Sequence, residues 1–449
     1  MTSLSRQGYS IKKQQFDKNT IEDVKKELTV YIKNVMFEHV PPKKYTLYQE
    51  NLNKIYIPKF YGLQKFGIPK RNVIGTGEKR PNMIFEGNLR DHQIEQVTAY
   101  IDTINNPTKR GGIISIGCGG GKTVIAINIA CKLQLKTLFI SHKDFLNVQF
   151  AERVKLFSPK SSIGIIKQNI INIEDKDFVI GSLQSIAMKD YPLSIFKDFG
   201  LVIIDEVHHC SAEVFSKALI KTCSPYVLGL SATLHRKDGL RKVFEWFIGK
   251  CVIKPSNNSK DNDVIVKCFK FENNNSQYNN IETMRNNKIN AVSMLSNIVN
   301  FQQRTEFILK IILENMNDDR KLIILSERKK LLHDIYLLLI NSNIKYSIGY
   351  YIGGMKQDKL NESSTKNIIL ATTHMAAEGL DIPTLNMLLF ASPISDVEQS
   401  IGRILRVNPE DRIIKPIVID IVDNFSIFKT RFNKRFAFYN KKKYNIEFI

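Results

Sequence analysis

Two adjacent carboxylates, Asp205 and Glu206, are the side chains of this sequence with the clearest potential for chemistry. They follow Leu201–Ile204, a short apolar run that is typical of a buried strand in a parallel sheet. Ligands of α/β proteins bind at the carboxyl edge of such sheets. One acid at this edge can hold a metal ion while its neighbour acts on a water molecule.

A glycine-rich loop upstream gives these acids a partner. Gly119–Thr123 lies between an apolar stretch and a stretch of helical character, which is the context of a phosphate-binding loop. Glycines let backbone N–H groups surround phosphate oxygens, and the helix N-terminus adds partial positive charge. Lys122 is expected to reach the β- and γ-phosphates, and the Thr123 hydroxyl to bind Mg²⁺. Ile116 stands where the common pattern has glycine, so a glycine turn without nucleotide is the competing interpretation.

Two arginines in the second half of the chain could act on the same phosphates. Gln399, Arg403 and Arg406 are spaced i, i+4 and i+7, which predicts that one helical face presents all three. Arginine keeps its charge and can hold phosphate in a bidentate fork, which suits a γ-phosphate whose charge changes during transfer. A solvated basic helix face is the alternative.

The hydrophobic pattern predicts the elements that position these residues. Residues 81–255 and 305–449 each alternate apolar strand candidates with helical stretches, which indicates doubly wound parallel sheets. Residues 1–80 are predicted to form a small N-terminal accessory module, and the Asn-rich residues 256–304 a linker with helical content. The predicted fold class is α/β, with a phosphate loop in the first domain and a basic C-terminal helix in the second.

Composition narrows the class of protein further. The chain has 449 residues with 43% hydrophobic and 24% charged positions, typical of globular domains, and no apolar run long enough for a membrane span. The six cysteines lack the spacing of a zinc site or a disulfide framework, so we expect free thiols in a reducing intracellular compartment. The formal net charge of +21 favours a polyanionic partner such as nucleic acid, although Lys-rich composition explains part of it.

Further segments complete a recognisable series of motifs. Ser231–Thr233 follows the acids, and Ala371–Thr373, Glu378–Pro383 and Gln399–Arg406 lie in the second half. Together with Asp205–His208 and the phosphate loop, they resemble the motifs of superfamily 2 helicases of the DExH type. The resemblance covers about residues 85–410.

Other segments resemble one branch of these helicases. Leu89–Gln93 and Ser231–Gly239 are similar to the XPB-like branch, which includes a translocase of the transcription factor TFIIH and phage repair helicases. Tyr56–Gly62 and His142–Leu146 look like segments of helicases from large cytoplasmic DNA viruses, including the transcript-release helicase of poxviruses.

The resemblance implies an ATPase whose ATP and Mg²⁺ bind between two RecA-like domains. Arg90 and Gln93 would read adenine, Asp205 would hold Mg²⁺ and Glu206 would polarise the attacking water. The two arginines would reach the phosphates only when the domains close, which couples the ATP state to movement. The residues implied in nucleotide and metal binding, catalysis and coupling are Arg90, Gln93, Gly119, Gly120, Gly121, Lys122, Thr123, Asp205, Glu206, His208, Ser231, Thr233, Gly379, Asp381, Gln399, Arg403 and Arg406.

Nucleic acid is implied to lie across both domains. Hydroxyls and backbone amides at strand ends contact phosphates without reading bases, so movement independent of sequence is expected. Each such residue could instead cap a helix. The candidate contacts are Ser141, His142, Lys143, Ser182, Gln184, Thr372 and Thr373.

Three functions are compatible with these residues. The first is an ATP-dependent helicase or translocase that acts on DNA rather than RNA and moves 3′-to-5′. It is expected to be a monomer, to serve transcription or repair machinery and to have no membrane partner. The second is a duplex translocase or transcript-release factor that separates strands poorly, and the third is an ATP-gated nucleic-acid clamp. The viral resemblance implies the cytoplasm or the virion, with the nucleus as the alternative.

Overall fold

Two largely parallel sheets organise the chain, one in each of two units, Met1–Pro255 and Ser256–Ile449. This structure is a computed structural model and describes residues 2–32, 43–117, 119–207, 212–232, 240–253, 263–284, 286–380, 382–407 and 411–449. Within those ranges, no helix combines the length and apolar character needed to cross a bilayer.

A small, mostly antiparallel sheet opens the first unit and shares a hydrophobic core with its larger parallel sheet. The elements of this region are β1 (Ser3–Ser5), β2 (Gly8–Lys12), α1 (Lys18–Glu27), β3 (Thr29–Ile32), β4 (Lys43–Thr46), β5 (Gln49–Glu50), β6 (Lys54–Ile57), α2 (Lys59–Phe66) and β7 (Arg71–Asn72). Strands β3 and β4 pair with each other in a separate two-stranded sheet. Leu4, Tyr9 and Ile57 belong to the same core as Val202 and Phe247. The described residues between 2 and 80 therefore share a hydrophobic core with the rest of the first unit.

The main sheet of the first unit is built from apolar strands. Its elements are α3 (Asp91–Asn105), β8 (Gly111–Ser115), α4 (Lys122–Leu133), β9 (Thr137–Ser141), α5 (Asp144–Phe157), β10 (Ile163–Lys167), β11 (Ile170–Asn172), β12 (Phe178–Ser182), α6 (Leu183–Met188), β13 (Leu201–Ile204), α7 (Ala212–Lys221), β14 (Tyr226–Ser231) and α8 (Arg241–Ile248). The strand order in the described part is β11-β10-β12-β9-β13-β14-β8, parallel except for the β10–β11 hairpin. Both faces are covered, which is why strands such as β13 are apolar at every position.

The second unit repeats this arrangement. Its elements are β15 (Ile265–Phe271), α9 (Ser276–Asn279), α10 (Ala291–Val299), α11 (Gln302–Asn315), β16 (Leu322–Ser326), α12 (Lys329–Asn341), β17 (Ile348–Tyr351), α13 (Gln357–Ser364), β18 (Ile368–Thr372), α14 (Thr373–Gly379), β19 (Met387–Phe390), α15 (Glu398–Ile401), β20 (Ile417–Asp423), α16 (Ser426–Lys442) and β21 (Asn445–Phe448). Among the described strands the order is β17-β18-β16-β19-β20-β15-β21. Apart from β11 and β21 at the edges, chain order maps onto sheet order in the same way in both units. The fold is thus α/β, with two doubly wound, RecA-like units.

The described part of segment 256–304 belongs to the second unit and is not the linker that the sequence predicts. Ile265–Phe271 forms β15, which pairs in parallel with β20 along its whole length, and α10 packs its apolar face into the same core. Lys267 and Lys270 interrupt the apolar pattern of β15. Their long side chains carry the amines out of the sheet, since Lys267 Nζ donates to Asn315 Oδ1 at 2.9 Å and Lys270 Nζ pairs with Glu272 at 2.6 Å.

Candidate functional site

The glycine loop turns directly from β8 into α4. Gly119 and Gly121 have φ angles of +82° and +78°, a backbone region that disfavours side chains. A Cβ atom on Gly121 would also lie 2.1 Å from Gln93 Nε2, so that position cannot hold a larger residue without displacing Gln93. Lys122 and Thr123 then form the first turn of α4, where backbone N–H groups are unsatisfied by the helix itself.

The start of α3 fastens this loop. The carbonyl of Gly120 accepts a hydrogen bond from Gln93 Nε2 at 3.2 Å and lies 3.1 Å from His92 Nε2. Gln93 Oε1 accepts from the backbone N–H of Arg90 at 2.9 Å, and the Gln93 side chain is buried. Gln93 therefore holds the loop with both ends of its amide, whereas the exposed Arg90 is the side chain that can reach outward.

The two acids stand at the end of β13, as the apolar run predicts. The backbone N–H of Asp205 donates to Ile140 O at 3.0 Å, and that of Glu206 donates to Asp205 Oδ1 at 2.9 Å. Glu206 adopts φ +46°, which is uncommon for a residue with a side chain and costs about 1–2 kcal/mol. This backbone turn directs Glu206 to the loop, where its Oε1 lies 3.3 Å from Lys122 Nζ.

The electrostatics of the acid pair favour an added cation. Burial, followed by the charge of Glu206, raises the pKa of Asp205 to about 7, while Lys122 acts in the opposite direction. One lysine therefore does not compensate both carboxylates. Asp205 and the Thr123 hydroxyl offer the oxygen donors that Mg²⁺ prefers, so these residues fit that ion. In the described part of the chain, no cluster of three or more His, Cys, Asp or Glu suggests a different metal centre.

Ser231 adjoins the same loop through the backbone. Strand β14 lies beside β8, and Ser231 O accepts a hydrogen bond from Ile116 N at 3.0 Å. His208, Thr233 and Asp381, which the sequence also singles out, lie outside the described residues.

Both arginines of the second unit converge on one carbonyl. Arg403 Nη1 donates to Leu380 O at 2.8 Å and Arg406 Nη2 donates to the same oxygen at 2.5 Å. Leu380 follows Gly379, the last residue of α14. Burial raises the pKa of Tyr351, and the positive charges of Arg403 and Arg406 oppose that shift.

The expected helical face from Gln399 to Arg406 needs correction. Helix α15 ends at Ile401, and Gly402 begins a turn, so only Gln399 is helical. Ile401 and Ile404 are buried and fix this short segment, while the arginines remain half-buried. The convergence therefore comes from anchored turns and the shared Leu380 carbonyl rather than from helix periodicity.

The hydroxyls at strand ends differ in their availability. Ser141 is 1% exposed, and its Oγ contacts Lys143 O and Asn147 Oδ1 at 3.0 and 2.8 Å, which gives it a supporting role within its own loop. Ser182 caps α6, and Thr372 occupies the equivalent position before α14. The partly or fully exposed candidates at these ends are His142, Lys143, Ser182, Gln184, Thr372 and Thr373, although the Thr373 hydroxyl itself is buried.

The second unit has an equivalent strand end that sequence reasoning missed. Ser326 ends β16, accepts from Arg328 N at 3.0 Å and donates to Arg328 O at 3.0 Å. Strand β16 occupies the place in its sheet that β9 has in the first unit. The shared pattern, serine followed two residues later by a basic residue, in Ser141–Lys143 and Ser326–Arg328, was the available signal.

Comparisons with known proteins agree with this arrangement. Residues 86–236 match the family described as type III restriction enzyme, res subunit, and residues 303–408 match the helicase conserved C-terminal domain. A protein of Acanthamoeba polyphaga mimivirus, named as ATP-dependent RNA helicase L396, is 38% identical over 99% of this chain and 86% of its own length. Helicase 161L of Invertebrate iridescent virus 6 is 28% identical over 80% of this chain and 82% of its own length.

Two solved structures share the fold at low sequence identity. Saccharomyces cerevisiae Dbp5, bound to RNA and ADP BeF3, superposes with a TM-score of 0.53 at 14% identity, over 81% of this chain and 94% of Dbp5. A fragment of an HsdR subunit of a type I restriction enzyme from Vibrio vulnificus gives 0.57 at 16% identity, over 82% of this chain and 70% of the fragment.

Proposed function

Since the chain belongs to the superfamily 2 helicases and is an ATP-hydrolysing enzyme similar to those of large DNA viruses, we propose that it uses ATP to move along DNA and displace a strand. The observation that carries this proposal is the contact of Lys122 with Glu206 beside Asp205, which joins a phosphate loop to an acid pair. The proposed direction of movement is 3′-to-5′, by analogy with related helicases.

The nucleotide is proposed to bind on the glycine loop. Gly119, Gly120 and Gly121 offer backbone N–H groups to the phosphates, and Lys122 adds a charge. Thr123 and Asp205 would hold Mg²⁺, which neutralises phosphate charge when bound. The exposed Arg90 is suited to contact the base, while Gln93 keeps the loop in shape through Gly120.

Glu206 is proposed to orient the attacking water. Its carboxylate is fixed by a strained backbone turn and lies next to Lys122, which suits a group that must hold a water in line with the γ-phosphate. Positioning and charge stabilisation account for most catalysis of phosphoryl transfer. Arg403 and Arg406 are proposed to stabilise the charge that develops on the γ-phosphate, for which their forked side chains are suited.

Coupling is proposed to depend on which partner the arginines have. Leu380 O accepts a hydrogen bond from each of them. Exchange of that carbonyl for phosphate oxygens would connect nucleotide binding to α14, where Gly379 ends the helix. Gln399, His208, Ser231, Thr233 and Asp381 are proposed to transmit or complete this change.

Strand ends in both units are proposed to contact the nucleic-acid backbone. His142, Lys143 and Gln184 in the first unit, and Thr372, Thr373 and Arg328 in the second, follow equivalent strands of the two sheets. Hydroxyl and basic groups of this kind contact phosphates and carry no base specificity. Binding should therefore be independent of sequence and weaken strongly with salt.

RNA is the second candidate substrate, because the mimivirus relative is named as an RNA helicase. ATP turnover should be compared with single-stranded DNA, duplex DNA and RNA at equal nucleotide concentration. We expect the largest stimulation by single-stranded DNA, and displacement only from duplexes with a 3′ overhang. Greater stimulation by RNA would replace DNA in the proposal, and turnover without strand or protein displacement would leave an ATP-gated clamp.

The proposed setting is a reducing compartment, either the cytoplasm or a virion. Cys131, Cys223, Cys251 and Cys268 are free thiols. Burial raises the pKa of each of them, so the reactive thiolate is disfavoured at all four positions.

A further inference from the structure

A groove with a volume of about 1100 Å³ opens in the first unit, away from the phosphate loop. It begins at Gly111, the first residue of β8, whereas the phosphate loop follows Ser115 at the other end of that strand. Helices α2, α3 and α8 form its walls. We call it the tryptophan groove and define it by Phe60, Asp102, Lys109, Lys242, Trp246 and Lys250.

Two aromatic rings are held in fixed positions in this groove. Trp246, the sole tryptophan of the chain, is half-buried, and Tyr61 packs edge-on against it with ring centroids 5.4 Å apart. Phe60 lies over Gly111, where a Cβ atom would be only 2.5 Å from the Phe60 ring. Both rings are only partly buried and are held by packing, so stacking on a planar group would cost little side-chain entropy.

Charge in the tryptophan groove is predominantly positive once internal pairs are considered. Glu27 accepts hydrogen bonds from Tyr61 and Lys65, and Glu245 pairs with Arg241 at 2.7 Å. Two of the three acids that line the groove are therefore neutralised.

Three lysines of the groove have no such compensation. Three exposed lysines form no ion pair with any residue that the structure describes, namely Lys109, Lys242 and Lys250. Among the acids of the lining, Asp102 is likewise exposed and has no ion pair within the described residues. The groove thus offers cationic groups beside aromatic rings, a combination that binds phosphates and bases together.

We propose that the tryptophan groove is a second binding site for single-stranded nucleic acid, with Trp246 and Phe60 stacking on bases and Lys109, Lys242 and Lys250 contacting phosphates. The inference rests on the proposed nucleic-acid function and extends it to a surface at the opposite end of β8. A strand displaced by the motor is the chemical species that such a site would retain.

The chemistry of the lining favours single-stranded nucleic acid as the occupant of the groove. An acidic peptide would satisfy the lysines but would leave the rings without planar partners. Single-stranded nucleic acid satisfies both groups at once.

Tryptophan fluorescence reports directly on this groove because the chain has no other tryptophan. The full chain should be titrated with a single-stranded DNA of about 12 nucleotides at about 0.05 M salt, and with polyglutamate in parallel. We expect DNA to quench Trp246, and a variant with Lys109→Gln, Lys242→Gln and Lys250→Gln to require at least about tenfold more DNA for half-maximal quenching. A matched variant with Lys155→Gln, Lys160→Gln and Lys197→Gln, which changes exposed lysines outside the groove, should retain the wild-type titration.

The outcomes separate this inference from the proposed function. Absence of quenching, or quenching that the groove variant does not weaken, would overturn the second site even if DNA stimulates ATP turnover. Quenching by polyglutamate at lower concentration than by DNA would assign the groove to an acidic protein instead. If DNA neither stimulates turnover nor binds, the proposed function itself fails. Melting temperatures of the variants provide the check on folding.

Discussion

The two units share one strand order but differ in the residues that follow equivalent strands. After β8, the first unit has a glycine loop, and after β13 it has two acids with a single lysine contact. The equivalent strand in the second unit, β15, is followed by an Asn-rich turn in which Asn275 caps the short helix α9. Only the first unit therefore has a cradle for phosphate in the described part of the chain.

Buried acids show the same contrast. In the second unit, Asp423 receives two hydrogen bonds of 2.7 Å from Arg304 and one of 2.8 Å from Tyr278. Asp420 is held in the same way by Arg435 and Tyr439. In the first unit, by contrast, burial and a neighbouring charge raise the pKa of Asp205.

This difference indicates how one fold is divided between two tasks. A carboxylate whose hydrogen bonds are satisfied by arginine and tyrosine has no uncompensated charge for a ligand to stabilise. A cation that binds beside a buried carboxylate stabilises its ionised form, which burial disfavours. The first unit is accordingly the one that should respond to Mg²⁺ and nucleotide.

The largest effect is expected from removal of the loop lysine. Lys122→Ala removes the charge that faces the phosphates and Glu206, so ATP turnover should fall by about 10³-fold. The matched control is Lys155→Ala, an exposed lysine of the same unit, which should turn over ATP like wild type. Turnover by Lys122→Ala within tenfold of wild type would remove the distinction between the two units.

The next largest effect is expected on stability in the second unit. Asp423→Ala leaves the Arg304 guanidinium buried without its carboxylate, which should cost about 3–5 kcal/mol of unfolding free energy. The double variant Arg304→Met with Asp423→Leu buries no charge and should recover most of that loss. Hydrogen exchange of β20 and α11 measures both. Equal protection in the single and double variants would show that the pairing has no such role.

The smallest effect is a pH-dependent change in melting temperature. The pKa of Asp205 is raised in the folded state, so its contribution to stability is full below about pH 4 and is lost as pH rises through about 7. Asp205→Asn cannot ionise and should therefore raise the melting temperature of nucleotide-free protein at pH 8 but not at pH 4. Exposed Glu174→Gln is the control. A gain of the same size at both pH values would contradict the buried-acid account.

Local signals made one half of the site predictable from sequence. The glycine loop and the acid pair each occupy a few consecutive residues after an apolar strand, and their chemistry follows from residue type. The sequence pattern did not predict strand β15, because its lysines interrupt the apolar pattern and asparagines flank it. Its place between β20 and β21 is set by pairing with residues 152 and 180 positions further along the chain, which no local pattern contains.

Tertiary contacts explain the remaining differences. The spacing of Arg403 and Arg406 indicated that the two side chains lie together, but the cause is the Leu380 carbonyl, which lies outside that motif. Gln93 is likewise directed to the loop by Gly120, 27 residues away. Side chains of this kind are positioned by partners that become neighbours only after folding.

Single-turnover hydrolysis by Arg403→Ala tests most directly the claim that the first unit binds the nucleotide and the second unit completes catalysis. With the enzyme in excess over ATP, at a concentration well above the nucleotide dissociation constant, and with DNA present, we predict nucleotide affinity within about threefold of wild type and a hydrolysis rate about 10³-fold lower. Lys434→Ala, an exposed site on α16, is the matched control and should behave as wild type in both respects. A wild-type rate of hydrolysis by Arg403→Ala would contradict the account.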